Sequence, residues 1–192
     1  PQEDEYALYR LTGSSPLVRL AFPTHERFFL EGDETFLPDD EDEVRAWEEA
    51  LLNFVTRVQL QAGGRRVVLK NPFHALRIAT LLRLFPGARF IHIRRDPMAV
   101  IPSTMRMWRI VAGDNALRRE VRPPSLEEVV RVFARVTHRL EQDLAALPPR
   151  RVARMRFEDL ELRPRGALRS AYMQLGLKYS AELDNAVPAF QQ

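Results

Sequence analysis

Ala88-Arg89-Phe90-Ile91-His92-Ile93-Arg94-Arg95-Asp96-Pro97, with Ser103 shortly after it, decides how this chain is read. Phe90, Ile91 and Ile93 make an apolar run of strand length, which predicts a short buried strand ending at two arginines. Pro97 fixes its own φ and has no N–H to lose, so it suits a first helical turn, and Asp96 before it is an N-cap residue. The stretch reads as strand then helix, the helix running over about 96–111. In an open parallel sheet ligands bind at the carboxyl ends of strands, and a helix N-terminus favours an anion. Alternation along the strand sends Arg94 and Arg95 to opposite sides, so one of them is expected to bind, and Arg95 is the candidate. Ser103, two turns into the helix, can offer a hydroxyl to the same anion. The plainer alternative is a strand–helix connection with solvated arginines.

One strand earlier the layout recurs. Arg66-Val67-Val68-Leu69-Lys70 predicts a strand, and Lys70-Asn71-Pro72-Phe73-His74 leads into a helix over 73–84 with Ala75, Ile78, Leu81 and Leu82 inward. Lys70 would then project from the same edge of the sheet, where an ammonium can neutralise charge developing on a bridging oxygen. All but two of the 29 basic residues are arginine, so Lys70 and Lys178 are exceptions. The alternative for Lys70 is a strand-terminal lysine in water. His74 could serve as a general base or be a first-turn histidine with a local partner.

Outward from these pieces, residues 3–12 predict a short helix and 16–40 an irregular, aromatic-rich segment. A helix over about 41–62 follows, with Val44, Trp47, Leu51, Phe54, Val55, Val58 and Ala62 on one face and Gly63-Gly64 ending it. After a charged loop at 113–124, Ser125 and Glu128 make a capping box for a long helix. It runs to Ala146 with Leu126, Val129, Val130, Phe133, Val136, Leu140 and Leu144 inward. Val152 to Phe157 predicts a third strand, and Pro164 to Leu175 a last helix closed by Gly176. Strands separated by helices mean a parallel sheet covered on both faces, an α/β fold.

Composition narrows the chemistry. The 192 residues, 45% of them hydrophobic, are enough for one domain with a sizeable core. There is no cysteine, hence no thiol nucleophile and no zinc–thiolate site. The four histidines lack metal-ligand spacing. His92 is expected to be a satisfied core histidine and His138 an inert one on an outer helix face. His25 lies in the irregular segment, where an acceptor could bind. A net charge of +3 suits small anionic ligands better than nucleic acid. No run is long enough to cross a bilayer, and the acidic start, Pro1-Gln2-Glu3-Asp4-Glu5, is unlike a signal peptide, so a cytoplasmic protein with no membrane partner is expected. Phe157 at a strand end can stack on a base or close the core, while Glu158-Asp159 is expected to cap and orient a turn.

Taken in order, three of these elements resemble the sulfotransferases that use 3′-phosphoadenosine 5′-phosphosulfate (PAPS), in particular the bacterial branch related to tyrosylprotein sulfotransferases. Val68 to His74 is similar to that branch's lysine–x–proline–phenylalanine element, and the resemblance puts assistance to sulfuryl transfer on Lys70. Phe90 to Ser103 is similar to the family's 3′-phosphate element, which implies that Arg95 and Ser103 hold that phosphate. Arg156-Phe157-Glu158-Asp159-Leu160 resembles the segment whose aromatic, usually tyrosine, lies near the adenine; here it is Phe157. The resemblance covers about residues 40–177.

It implies a P-loop-NTPase-like, three-layer parallel sheet, PAPS as co-substrate without a metal, and transfer of a sulfuryl group to a hydroxyl or amine on a small-molecule or carbohydrate acceptor. The family's opening strand and glycine-rich 5′-phosphosulfate loop have no counterpart here. The expectation is therefore a single domain over 1–192 truncated at its N-terminus and, at its C-terminus, short of a cofactor lid. A non-catalytic remnant serving as an interaction module is the alternative. A nucleotide kinase would need a Walker loop that the sequence does not contain.

Overall fold

Phe90–Arg94 (β1) and Val152–Arg156 (β2) pair in parallel, in register from Phe90↔Val152 to Arg94↔Arg156. The computed structural model describes residues 3–17, 35–115 and 123–187. His25, most of the 16–40 segment and most of the 113–124 loop lie outside the described residues. Among those described, the helices in chain order are α1 (Asp4–Thr12), α2 (Glu41–Gln61), α3 (Ile78–Leu84), α4 (Pro97–Asn115), α5 (Leu126–Ala145), α6 (Phe157–Leu162), α7 (Pro164–Gln174) and α8 (Ala181–Ala186). A 3₁₀ segment, Pro72–Leu76, precedes α3.

Strand alternation divides the sheet into two faces. Phe90, His92, Val152 and Arg154 share one, and Glu141 of α5 reaches His92 and Arg154 there. Ile91, Ile93, Ala153 and Met155 share the other, where α7 brings Ala171 and Leu175 against Ala153 and Met155. The expectation that β1 is a buried strand needs correction on this face. Ile91 and Ile93 are nearly half exposed, because α7 covers β2 and stops short of its neighbour.

A second core joins the N-terminal helices to the sheet. Leu8 of α1, Trp47 and Leu51 of α2 and Leu81 of α3 are buried together, with Leu69 and Phe90 packed against them. Full burial of each large apolar side chain contributes about 1.5–3 kcal/mol, so this cluster fixes where the 70–77 segment sits.

Several boundaries follow the predicted signals. Asp40 caps α2 through the N–H groups of Asp42 and Glu43. Gly63 and Gly64 close that helix with φ of +64° and +77°, a backbone region that side-chain-bearing residues rarely adopt. The Ser125–Glu128 capping box is formed, with the Glu128 N–H donating to Ser125 Oγ at 3.2 Å.

Other expectations are overturned. Residues 66–70 pair in no ladder, so among the described residues the sheet has two strands rather than three. A strand exists only by pairing, and although Leu69 packs inward, Val68 is 81% exposed. The single helix predicted over 73–84 is broken at Arg77 (φ −116°, ψ 19°), whose side chain is drawn into a buried ion pair. Leu126 and Val130 of α5 face outward, since only Val129 and Leu144 are fully buried along that helix. β2 ends at Arg156, so Phe157 begins α6 rather than ending a strand. The helix α8, capped by Ser180, was not anticipated.

Candidate active site

The parallel register sets Arg94 opposite Arg156, so the chain segments leaving both strands emerge side by side. From β1 come Arg95 and Asp96, and from β2 come Phe157 and Glu158. Asp96 is the expected N-cap, accepting from the Met98 N–H at 2.8 Å. Glu158 accepts from the Asp96 N–H at 3.2 Å and so ties the start of α4 to the start of α6. The Glu158 carboxyl is held below its ordinary range by its own backbone N–H and that of Asp96, with Arg156 adding to the effect. The expectation that Glu158 orients a turn therefore holds, though the backbone it orients belongs to the neighbouring strand's exit.

Arg95 and Phe157, separate candidates in the sequence, meet here. The Arg95 guanidinium lies 4.3 Å from the Phe157 ring centroid, a cation–π contact worth about 0.5–1 kcal/mol at an exposed site. It leaves the donors at the rim of the guanidinium available to an anion. Arg94 points the other way, 3.9 Å from Glu141, as strand alternation requires. Ser103 is half-buried on α4, just after Pro102, which cannot donate the helical hydrogen bond of that turn.

Lys70 and His74 form a second group, joined to α1. The largely exposed Lys70 ammonium pairs with Glu3. His74 Nε2 lies 3.0 Å from Asp4 Oδ2. Glu5 is fully buried and takes the Arg77 guanidinium at 2.7 and 3.4 Å, the Asn71 amide at 2.8 Å and the Ser15 hydroxyl at 2.7 Å. Arg77 also donates to the Phe36 carbonyl and stacks 4.6 Å from the Trp47 ring centroid. Three consecutive acids thus engage Lys70, His74 and Arg77 in turn. Burial pushes the Asp4 carboxyl up, but the His74 ring and the Asn71 amide outweigh it, and the net displacement is downward.

Sequence reasoning missed Asp4, Glu5 and Arg77. It read the acids only as a feature of the N-terminus. The available signal was Leu8, one turn from Asp4 and on the same face, which marks that face as buried.

On the sheet face under α5, Glu141 gathers His92 (3.4 Å) and Arg154 (3.2 Å). Burial lowers the His92 pKa from 6.5; Glu141 opposes this, and the Arg94 and Arg154 charges reinforce it. A histidine depressed in the folded state binds fewer protons there than when unfolded. Stability is then complete above the unfolded value and falls as pH drops through it towards the depressed one. The expected result is a melting temperature that declines on acidification below neutral, with a smaller decline in His92→Gln. An identical pH profile in that variant would remove His92 as its source. His138 is exposed on α5, as anticipated.

No group of His, Asp and Glu among the described residues could hold a metal ion, and no described helix is long and apolar enough to cross a membrane.

Comparison with known proteins gives this geometry a context. The chain is 33% identical over 180 residues to the omega-hydroxy-beta-dihydromenaquinone-9 sulfotransferases of Mycobacterium bovis and Mycobacterium tuberculosis. The match takes in 92% of this chain and 45% of each relative, so the chain spans a little under half their length. Its fold is like that of the sulfotransferase domain from the curacin biosynthetic pathway, with a TM-score of 0.56 at 22% identity, covering 95% of this chain and 66% of that one. The sulfotransferase family model matches residues 18–181, a span that contains Lys70, His74, Arg95, Ser103 and Phe157, and the chain belongs to that family.

Proposed function

We propose that this chain supplies the 3′-phosphate side of a PAPS site and the lysine that assists sulfuryl transfer. The observation carrying this reading is the Arg95 guanidinium stacked at 4.3 Å on Phe157, where the two parallel strands end beside the Asp96-capped start of α4. Arg95 binds the 3′-phosphate through charge-assisted hydrogen bonds, and Ser103 contributes its hydroxyl. Phe157 holds the guanidinium in place; its ring can stack, but it lacks the phenolic hydroxyl of a tyrosine.

Lys70 neutralises charge on the oxygen bridging sulfur and the 5′-phosphate, and must leave Glu3 to do so. His74 is the general base in this reading. The acceptor is a small molecule carrying a hydroxyl, in keeping with the hydroxylated menaquinone in the names of the mycobacterial relatives; carbohydrate hydroxyls and amines are the other acceptor classes. The tyrosylprotein-like branch is a finer placement, suggested by the Lys70-to-His74 element.

Adenosine 3′,5′-bisphosphate is expected to raise the melting temperature of the wild-type protein, and adenosine 5′-phosphate to raise it much less. Arg95→Ala should abolish the difference. An equal shift for both nucleotides would dismiss a 3′-phosphate site.

A further inference from the structure

We infer that Asp4 is a positioning residue for His74, holding the imidazole so that Nδ1 is the basic atom presented to the acceptor. The inference rests on the reading of His74 as the base and adds a residue to it.

Each of the three acids at the start of α1 has a distinct set of partners. Glu3 is on Lys70. Glu5 is saturated by Arg77, Asn71 and Ser15, with both oxygens used. Asp4 alone faces an imidazole, with Oδ2 3.0 Å from His74 Nε2 and 3.4 Å from the Asn71 amide. Its side chain is 2% exposed and that of His74 12%, so water competes little for the contact. Low polarity around a carboxylate–imidazole pair strengthens it.

The remaining atoms are informative. His74 Nδ1 is buried without a hydrogen-bond partner, and the Nε2 contact is close but not aligned as a hydrogen bond. Catalytic contacts are often loose before substrate binds and tighten in the complex. With the Nε2 proton directed at Asp4, the lone pair is on Nδ1 and lacks only a donor. An acceptor hydroxyl supplies one.

The step balances. The acceptor O–H proton moves to Nδ1 as the acceptor oxygen bonds to sulfur. The bond from sulfur to the bridging oxygen breaks, and its electron pair stays with the 5′-phosphate of the departing adenosine 3′,5′-bisphosphate. The imidazolium formed faces the Asp4 carboxylate, 3.0 Å from its Nε2. Asp4 touches neither substrate nor donor and acts only through His74.

The test is the protonation site of His74, read from long-range ¹H–¹⁵N spectra of the labelled protein under alkaline conditions, with His74→Gln to assign the signals. The expected result is a proton on Nε2, protected from exchange in the wild type and in Asp4→Glu and exposed in Asp4→Ala. A proton on Nδ1, or an Nε2–H equally protected in Asp4→Ala, overturns the inference. Should Asp4→Ala fail to fold, the wild-type spectrum and Asp4→Glu decide alone. In turnover, loss of the positioning residue should lower kcat roughly 10²-fold or more while KM for PAPS changes less than twofold. A loss confined to KM counts against it. Failure of adenosine 3′,5′-bisphosphate to bind would strike the PAPS reading instead, so the two failures are distinguishable.

Discussion

Arg77→Ala is expected to lower the free energy of unfolding by about 3–5 kcal/mol, the usual cost of removing one partner from a buried ion pair. Both side chains of the Arg77–Glu5 pair are fully buried. Removing the guanidinium leaves the Glu5 carboxylate in an apolar setting with only the Asn71 amide and Ser15 hydroxyl for compensation. It also takes the cation from the Trp47 face and a donor from the Phe36 carbonyl. Urea unfolding should show a lower midpoint. The double variant Glu5→Gln/Arg77→Met should recover part of the loss, because neither group is then charged. A midpoint for Arg77→Ala within experimental error of the wild type would mean that the pair does not hold α1 against the 70–77 segment.

Lys70→Ala is expected to do the opposite: little to stability and much to turnover. Its ammonium is mostly in water, and exposed pairs such as Lys70–Glu3 contribute about 0–1 kcal/mol. In the transfer step proposed for it, the same charge would sit beside a developing negative oxygen, where loss of one stabilising group lowers kcat by roughly 10²–10³. Lys70→Arg should not restore it, since a planar guanidinium cannot substitute for a compact ammonium at one oxygen. Melting temperature and PAPS-dependent sulfation of a hydroxylated acceptor, measured side by side, check both halves. Equal losses in stability and activity would make Lys70 a structural residue.

Local signals in the sequence were reliable guides to local structure. Asp96-Pro97 gave the start of α4, Ser125 with Glu128 gave that of α5, and the apolar run at 90–93 gave β1, because caps and short strands are specified by neighbours in the chain. What depends on distant residues was not readable. The 66–70 segment has strand composition but no ladder, and only the fold can say whether a partner lies alongside. The break at Arg77 follows from a carboxylate 72 positions earlier, which no periodicity encodes. The same separation hid Asp4 from the candidate site. Arg95 and Phe157 were each legible through their places at element ends, yet their contact depends on the register of β1 against β2.

The central claim is that Arg95 and its surroundings recognise a 3′-phosphate. Calorimetric titration of adenosine 3′,5′-bisphosphate into the wild-type protein and Arg95→Ala tests it most directly. A charge-assisted contact of about 1.5–3 kcal/mol predicts wild-type binding weakened by roughly 10- to 100-fold in the variant. Indistinguishable affinities for the two proteins would contradict it.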